Sequence, residues 1–195
     1  MTKKLSGILL PITSLPSKYG VGCFSKSAYD FVDQLKEMGQ TLWQILPIHP
    51  ISYGDSPYQS FSTFAGNPYF ISLEALIKEG VLSEEECDET DFGDDPQKID
   101  YEKLYYGRYP LLRKAYERSE IYKNEAYHKF VWENEWWLKD YALFMALKDR
   151  FDGECWITWP EDIRLRWDNA MDYTELPSSP GLEPYVVLAQ VPFSV

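Results

Sequence analysis

Along the first fifty residues, two short apolar runs flank a stretch of helical period. Ser6 to Leu10 is apolar and stops at Pro11, which predicts a short buried strand. After a segment rich in Pro, Gly and Ser, Ser25 stands where an N-cap belongs. Ala28, Phe31, Val32, Leu35 and Met38 follow at helical spacing, and Gly39 ends the run. Thr41 to Leu46 is a second apolar run, closed by Pro47. Strand, helix and strand with so short a return predict a βαβ unit with parallel strands. Both strands read as buried on two faces, as in α/β folds. In barrels of that kind the site lies at the C-terminal ends of the strands, so the segments after Leu10 and after Leu46 are the ones to search.

The second segment, from Pro47 to Asn67, is long, without regular period, and too aromatic for disorder. Beyond it the pattern turns helical. Ser83 with Glu86 has the spacing of a capping box, and the acidic run from Glu84 to Asp95 reads as a solvated loop. Helices are expected over Tyr101–Arg118 and Val131–Arg150. In the second, Trp137, Tyr141 and Phe144 share a face, as core residues do. From Thr174 to Pro184 the chain is rich in Pro, Ser and Gly, and a short apolar run, Tyr185 to Val191, follows.

Composition narrows the function classes. A formal net charge of −12, with no basic cluster, argues against a nucleic-acid partner and against anionic membranes. Cys23, Cys87 and Cys155 are odd in number and lack metal-ligand spacing, so they read as free thiols in a reducing compartment. With no signal peptide or membrane span in the residues given, a cytoplasmic location is expected. Aromatic residues make up 16% of the chain, enough to fill a core and to leave flat faces for a ligand.

The chemistry concentrates in Tyr53-Gly54-Asp55-Ser56-Pro57-Tyr58-Gln59-Ser60-Phe61-Ser62, followed by Phe64-Ala65-Gly66-Asn67-Pro68-Tyr69. Small residues let backbone approach a ligand. Hydroxyls, an amide and a carboxylate offer hydrogen bonds to a polyol, and aromatic faces suit the C–H side of a pyranose. That combination fits a neutral oligosaccharide, against the plainer alternative of an aromatic loop folded back on the barrel. Other candidates are weaker. A second carboxylate could come from Glu102, Asp140 or Glu161, but nothing in the sequence places one beside Asp55. His49 and His128 read as structural, and Cys23 has no evident base.

The wording of the loop resembles the amylomaltase (4-α-glucanotransferase) family. So do Gly7-Ile8-Leu9-Leu10 with Thr13-Ser14-Leu15-Pro16, Tyr19-Gly20-Val21-Gly22, Leu42-Trp43-Gln44-Ile45-Leu46-Pro47, Asp100-Tyr101, and the run Trp136-Trp137-Leu138-Lys139-Asp140-Tyr141-Ala142-Leu143-Phe144. The resemblance spans about Leu5 to Asp172. It implies an α/β fold, a (β/α)₈ TIM barrel with a large helical insertion, of which this chain holds the first βαβ unit. It also implies transfer of an α-1,4-glucan segment to glucose or another glucan, with no cofactor. The partners would be maltodextrins and glucose. By the same resemblance Tyr58 matches a tyrosine beside the scissile bond, and Asp55, Ser56 and Gln59 match the loop lining that cleft. Tyr53 and Tyr101 match aromatics of a secondary glucan contact. Ser14 and Pro16, in the first barrel loop, are expected to be structural.

Members of this family use an Asp nucleophile, a Glu acid/base and a further Asp. The Arg-x-Asp-His-Phe-Arg-Gly, Ala-Glu-Asp and His-Asp motifs that carry them do not occur here. A barrel needs about 250 residues. The expected organisation is therefore residues 1–172 as the N-terminal part of the barrel with its insertion, and 173–195 as a divergent tail. A frameshift, a truncated gene or a cloned fragment would each produce such a change. Three descriptions follow: a glucanotransferase active only with a longer or complementary piece, a noncatalytic α-glucan-binding fragment, or a nonfunctional stub. For the isolated chain the stub is favoured, because an open barrel leaves strand edges unpaired.

Overall fold

The computed structural model describes residues 4–52, 54–174 and 185. The tail from residue 175, Tyr185 excepted, and Tyr53 lie outside the described residues, as do the side chains of residues 172–174. The chain divides after Lys123 into two compact units, and it is mostly helical with one small sheet.

The first unit opens with β1 (Gly7–Leu9), crosses through α1 (Lys26–Glu37) and returns as β2 (Leu42–Gln44). The strands are parallel, with Gly7 opposite Leu42, Ile8 opposite Trp43 and Leu9 opposite Gln44. This is the expected βαβ unit. Ser25 holds the N-cap position of α1 without donating or accepting a cap bond; its hydroxyl bonds Ser27 Oγ at 2.9 Å instead. Gly39, at φ +70°, ends the helix in a Schellman motif: its N–H donates to Lys36 O at 3.0 Å, and Gln40 N–H donates to Leu35 O at 2.9 Å.

The expectation for the sheet needs correction. The strands are not buried on both faces: Leu9 and Leu42 are 56% and 51% exposed. A two-stranded sheet has no flanking strands and, among the described residues, no second layer over those side chains. On α1, Ala28 and Leu35 are buried and Phe31 packs on the core, but Val32 and Met38 stay exposed. The core beside the sheet gathers Ile12, Leu15, Ala28 and Phe70, with Trp43 meeting Phe31 edge-on at 5.0 Å. The Trp43 indole N–H donates to Leu10 O at 2.8 Å and fixes the start of the first loop.

The rest of this unit is helical: α2 (Leu73–Lys78), α3 (Glu84–Asp88) and α4 (Tyr101–Arg118). The Ser83–Glu86 capping box forms as its spacing predicts. The acidic run is not simply a solvated loop, because its first five residues are α3 and several of its carboxylates are paired. Glu86 bonds Arg118 at 2.6 Å, and Glu84 and Asp88 hold Lys18. The Arg118 guanidinium holds the Glu86 carboxyl well below the usual carboxylate range.

The second unit is dominated by α5 (Glu125–Arg150), which starts six residues before the expected Val131. Asn124 caps it, accepting from Ala126 N at 2.8 Å. Trp137 is buried against Tyr141, ring centroids 5.8 Å apart, as expected of that face. Two short helices follow, α6 (Glu161–Arg164) and α7 (Asp168–Thr174). Leu143, Leu147 and Trp159 form their common core with α5. Among the described residues no helix is long and apolar enough to cross a membrane.

Candidate functional site

The segment after β2 is an excursion closed at its neck. Asn67, itself buried, donates its backbone N–H to Ile48 O at 3.0 Å, and its side-chain oxygen accepts from Tyr69 N at 2.9 Å. The eighteen residues between Ile48 and Asn67 are thus returned to one point, so the loop can hold shape without secondary structure. A second closure lies further out, where Ser52 N–H donates to Gln59 O at 3.0 Å. Inside it Asp55 N–H donates to Ser52 O at 3.2 Å and Gln59 N–H to Ser56 O at 3.0 Å. The backbone turns through left-handed conformations at Gly54 (φ +88°) and Asp55 (φ +55°). Asp is one of the few residues with a side chain that tolerates this.

This small hydrogen-bonded turn brings together four of the expected site residues. Tyr58 stands at its tip, 74% exposed, with its backbone N–H on Ser56 Oγ at 3.3 Å. Asp55 and Gln59 are also exposed, and Ser56 is half-buried. The N–H groups of Ser52, Asp55, Tyr58 and Gln59 are bonded within the turn, while the side chains of Asp55, Tyr58 and Gln59 face solvent. Tyr53 lies outside the described residues.

Tyr101 comes from α4, whose N-cap is Asp100, accepting from Lys103 N at 3.1 Å. Its ring is half-buried, 6.2 Å from that of Tyr69. Burial, and after it the negative charge of Asp55, raises the phenol pKa of both Tyr101 and Tyr69. Asp55 therefore lies within electrostatic reach of both rings, and the turn and the start of α4 form one neighbourhood. Tyr69 is buried and continues into Tyr109 at 6.0 Å, which in turn meets Tyr105 at 5.1 Å. The sequence reading passed over this aromatic support, although the spacing of Tyr101, Tyr105 and Tyr109 at every fourth residue of a helix signals it.

Arg108 was also missed, and no local signal marks it. It is fully buried on α4, and its guanidinium donates to Tyr19 O at 3.3 Å and to Ile71 O. Burial pulls its pKa below the ordinary value. Nε has no partner among the described residues. The side chain ties α4 both to the loop after β1 and to the segment beyond Asn67, and so fixes the base from which the turn projects.

Of the other carboxylate candidates, Glu102 lies exposed on α4. Asp140 is bound to Arg166 at 2.7 Å in the second unit, and Glu161 opens α6 there. Among the described residues no three His, Cys, Asp or Glu side chains are grouped to hold a metal ion. Cys23 and Cys87 are buried free thiols and Cys155 is exposed. Ser14 and Pro16 are exposed on the first loop, where Pro16 O accepts from Ser27 Oγ at 2.8 Å. The arrangement is suited to holding a neutral polyol between an aromatic face and a carboxylate.

The Glyco_hydro_77 family, described as 4-alpha-glucanotransferase, matches residues 10–188. The chain is 48% identical over 174 residues to the 4-alpha-glucanotransferase of Streptococcus pneumoniae serotype 4, covering 88% of this chain and 34% of that protein. It is 45% identical over 169 residues to the Thermus thermophilus 4-alpha-glucanotransferase, covering 85% and 33%. Among solved structures it is similar to an amylomaltase from Streptococcus agalactiae in complex with acarbose. That similarity has a TM-score of 0.87 and 38% identity, over 96% of this chain and 38% of the other. The chain thus spans about a third of the length of the curated relatives it matches.

Proposed function

Because the chain belongs to the 4-alpha-glucanotransferase family and matches the N-terminal portion of its members, we propose that it supplies one wall of an α-1,4-glucan cleft. The fold reading that goes with this is an incomplete (β/α)₈ barrel: β1 and β2 are its first two strands, and α2 to α5 belong to its helical insertion. The site lies at the C-terminal end of β2, where a barrel of this class carries its chemistry. In this reading residues 1–172 form the barrel part and 173–195 a tail. The family match, which ends at residue 188, argues for moving that boundary toward the C-terminus.

The observation that carries the reading is the internally hydrogen-bonded turn of residues 52–59, which leaves Tyr58 bare beside Asp55, Ser56 and Gln59. Tyr58 would stack on a pyranose, and Asp55, Ser56 and Gln59 would bond its hydroxyls. Tyr101, within reach of Asp55, would meet a longer glucan, with Tyr53 as its companion. The bound acarbose of the Streptococcus agalactiae relative shows that family member holding a ligand, and it supports a saccharide as ligand here. The reaction assigned to the family, retaining transfer of a glucan segment to glucose or another glucan, needs paired carboxylates about 5 Å apart. The motifs that carry them are missing from these residues. The proposed role is therefore substrate binding, with transfer dependent on the remaining two thirds of the family's length, and the proposed location is cytoplasmic.

Two measurements test this. Maltotriose titrated against the chain should perturb the backbone amides of residues 54–59, and Tyr58→Ala should weaken binding about tenfold. Unchanged affinity removes the site assignment. The same chain incubated with maltotriose should release no glucose above a mock-purified control. Turnover would show that the catalytic carboxylates lie within these residues.

A further inference from the structure

Two rows of apolar side chains run next to each other along α5. Leu143 and Leu147 pack with Trp159 in the core already described. One position earlier in each turn stand Ala142 and Ala146, four residues apart on one helix face, with Asp149 three residues further along it. Ala142 is 0% and Ala146 8% exposed. Tyr185, 4% exposed, lies in one cluster with both alanines, and Met145 packs at its margin. The Tyr185 hydroxyl donates to Asp149 Oδ2, a bond between residues 36 apart in the chain. Tyr185 and α5 belong to the same compact unit, Asn124–Gln190.

Each part of this contact suits a tyrosine. Alanine side chains leave room for a flat ring to approach the helix, room that a leucine in the row would fill. A buried phenol needs a partner for its hydroxyl, usually at the rim of its pocket. The exposed carboxylate of Asp149 supplies one. Asp149 in turn sits in the last turn of α5, where the helix dipole disfavours a negative charge. A hydroxyl donated to it there offsets that cost.

We propose that the face of α5 formed by Ala142, Ala146 and Asp149 is a docking surface for the chain's own tail, with Tyr185 as the side chain that seats on it. The tail then belongs to the second unit at least as far as Tyr185 and is no appendage beginning at residue 173. The family match, which runs to residue 188 and takes in Tyr185, agrees with that boundary. A helix face covered by the chain's own tyrosine needs no further segment at that place. The second unit is in this respect closed from within, unlike the open strand pair of the first. The inference is independent of the saccharide reading.

The test uses the full chain labelled with ¹³C in its alanine methyl groups, those of Ala142 and Ala146 being assigned with Ala142→Ser and Ala146→Ser. Both methyls should show cross-relaxation to a tyrosine ring, lost in Tyr185→Leu, while the Ala115 methyl of the first unit is unmoved. Cross-peaks that survive Tyr185→Leu overturn the seat. Tyr185→Phe keeps the ring and removes the hydroxyl, so it decides the matter even if the leucine variant fails to fold. It should lower Tm by about 5 °C, and that effect should vanish in an Asp149→Ala background, as it must for two groups that act only through each other. A Tyr185→Phe effect of equal size in both backgrounds, or none in either, overturns the docking contact. Neither readout involves a sugar, so failure here leaves the cleft reading untouched.

Discussion

The loops that follow β1 and β2 occupy equivalent places, each leaving the C-terminal end of a parallel strand, yet they do opposite things. The first turns inward. Ile12, Leu15, Tyr19, Val21 and Cys23 are all buried, and Gly22 runs so close to its neighbours that a methyl group there would stand 2.1 Å from Ile12 O. The second turns outward: it is closed by its own backbone hydrogen bonds and leaves Asp55, Tyr58 and Gln59 in solvent. Position at the functional end of a strand therefore does not make a loop a site. A loop whose side chains are spent on packing has none left for a ligand, and in this molecule the rigid first loop helps to form the platform for the second.

The sharpest way to break that contrast is Gly22→Ala. The added carbon would collide with backbone atoms of Ile12 and Leu15, and backbone cannot rotate aside as a side chain can. A loss of about 3 kcal/mol or more in urea denaturation, or failure to fold, is expected. A near-wild-type midpoint would mean that the first loop is not tightly packed. Next comes Arg108→Met, which keeps much of the side chain's length but leaves the carbonyls of Tyr19 and Ile71 without their donor. A loss of about 2 kcal/mol is expected. A neutral or stabilising result would show that the buried cation is tolerated and is not the tie between the loops.

A smaller effect should appear with pH. Glu86 has its folded pKa lowered by Arg118, so the stability it adds is present above the ordinary carboxylate pKa of about 4.3 and is lost as the pH falls below that value. The urea midpoint should decline on acidification from pH 6 to pH 3, and Glu86→Gln should make the decline shallower. An unchanged slope would remove Glu86 as a contributor. The smallest effect on stability belongs to Tyr58→Ala, within about 0.5 kcal/mol, although it should be the most damaging to saccharide binding. A large destabilisation would mean that the ring packs on the protein and that the two loops are more alike than they look.

How much of this could be read from the chain alone depended on the range of the interactions involved. The bounds of α4, Tyr101 to Arg118, were legible in full, because helical period acts within a few residues. The Ser83–Glu86 capping box was legible for the same reason. The start of α5 was not, since Asn124 caps a first turn whose pattern, Glu125 to Phe130, has no clear apolar face. Of the candidate site, composition marked the 47–67 segment as a whole, and the family resemblance singled out Asp55, Ser56, Tyr58 and Gln59 within it. Arg108 did not stand out, because its role exists only through partners distant in the chain.

The sequence by itself determined the βαβ order, α4 and most of α5, the placing of the polar and aromatic residues in one loop, and the family. These follow from local periodicity, capping and motif wording, which need no knowledge of distant contacts. Only the tertiary structure decided which strand residues stay exposed, which way each loop turns, that Asp55 reaches Tyr101, and that a buried guanidinium on α4 bonds the carbonyls of two other segments. Burial and electrostatic reach are set by distances between segments far apart along the chain, and a linear pattern does not contain those distances.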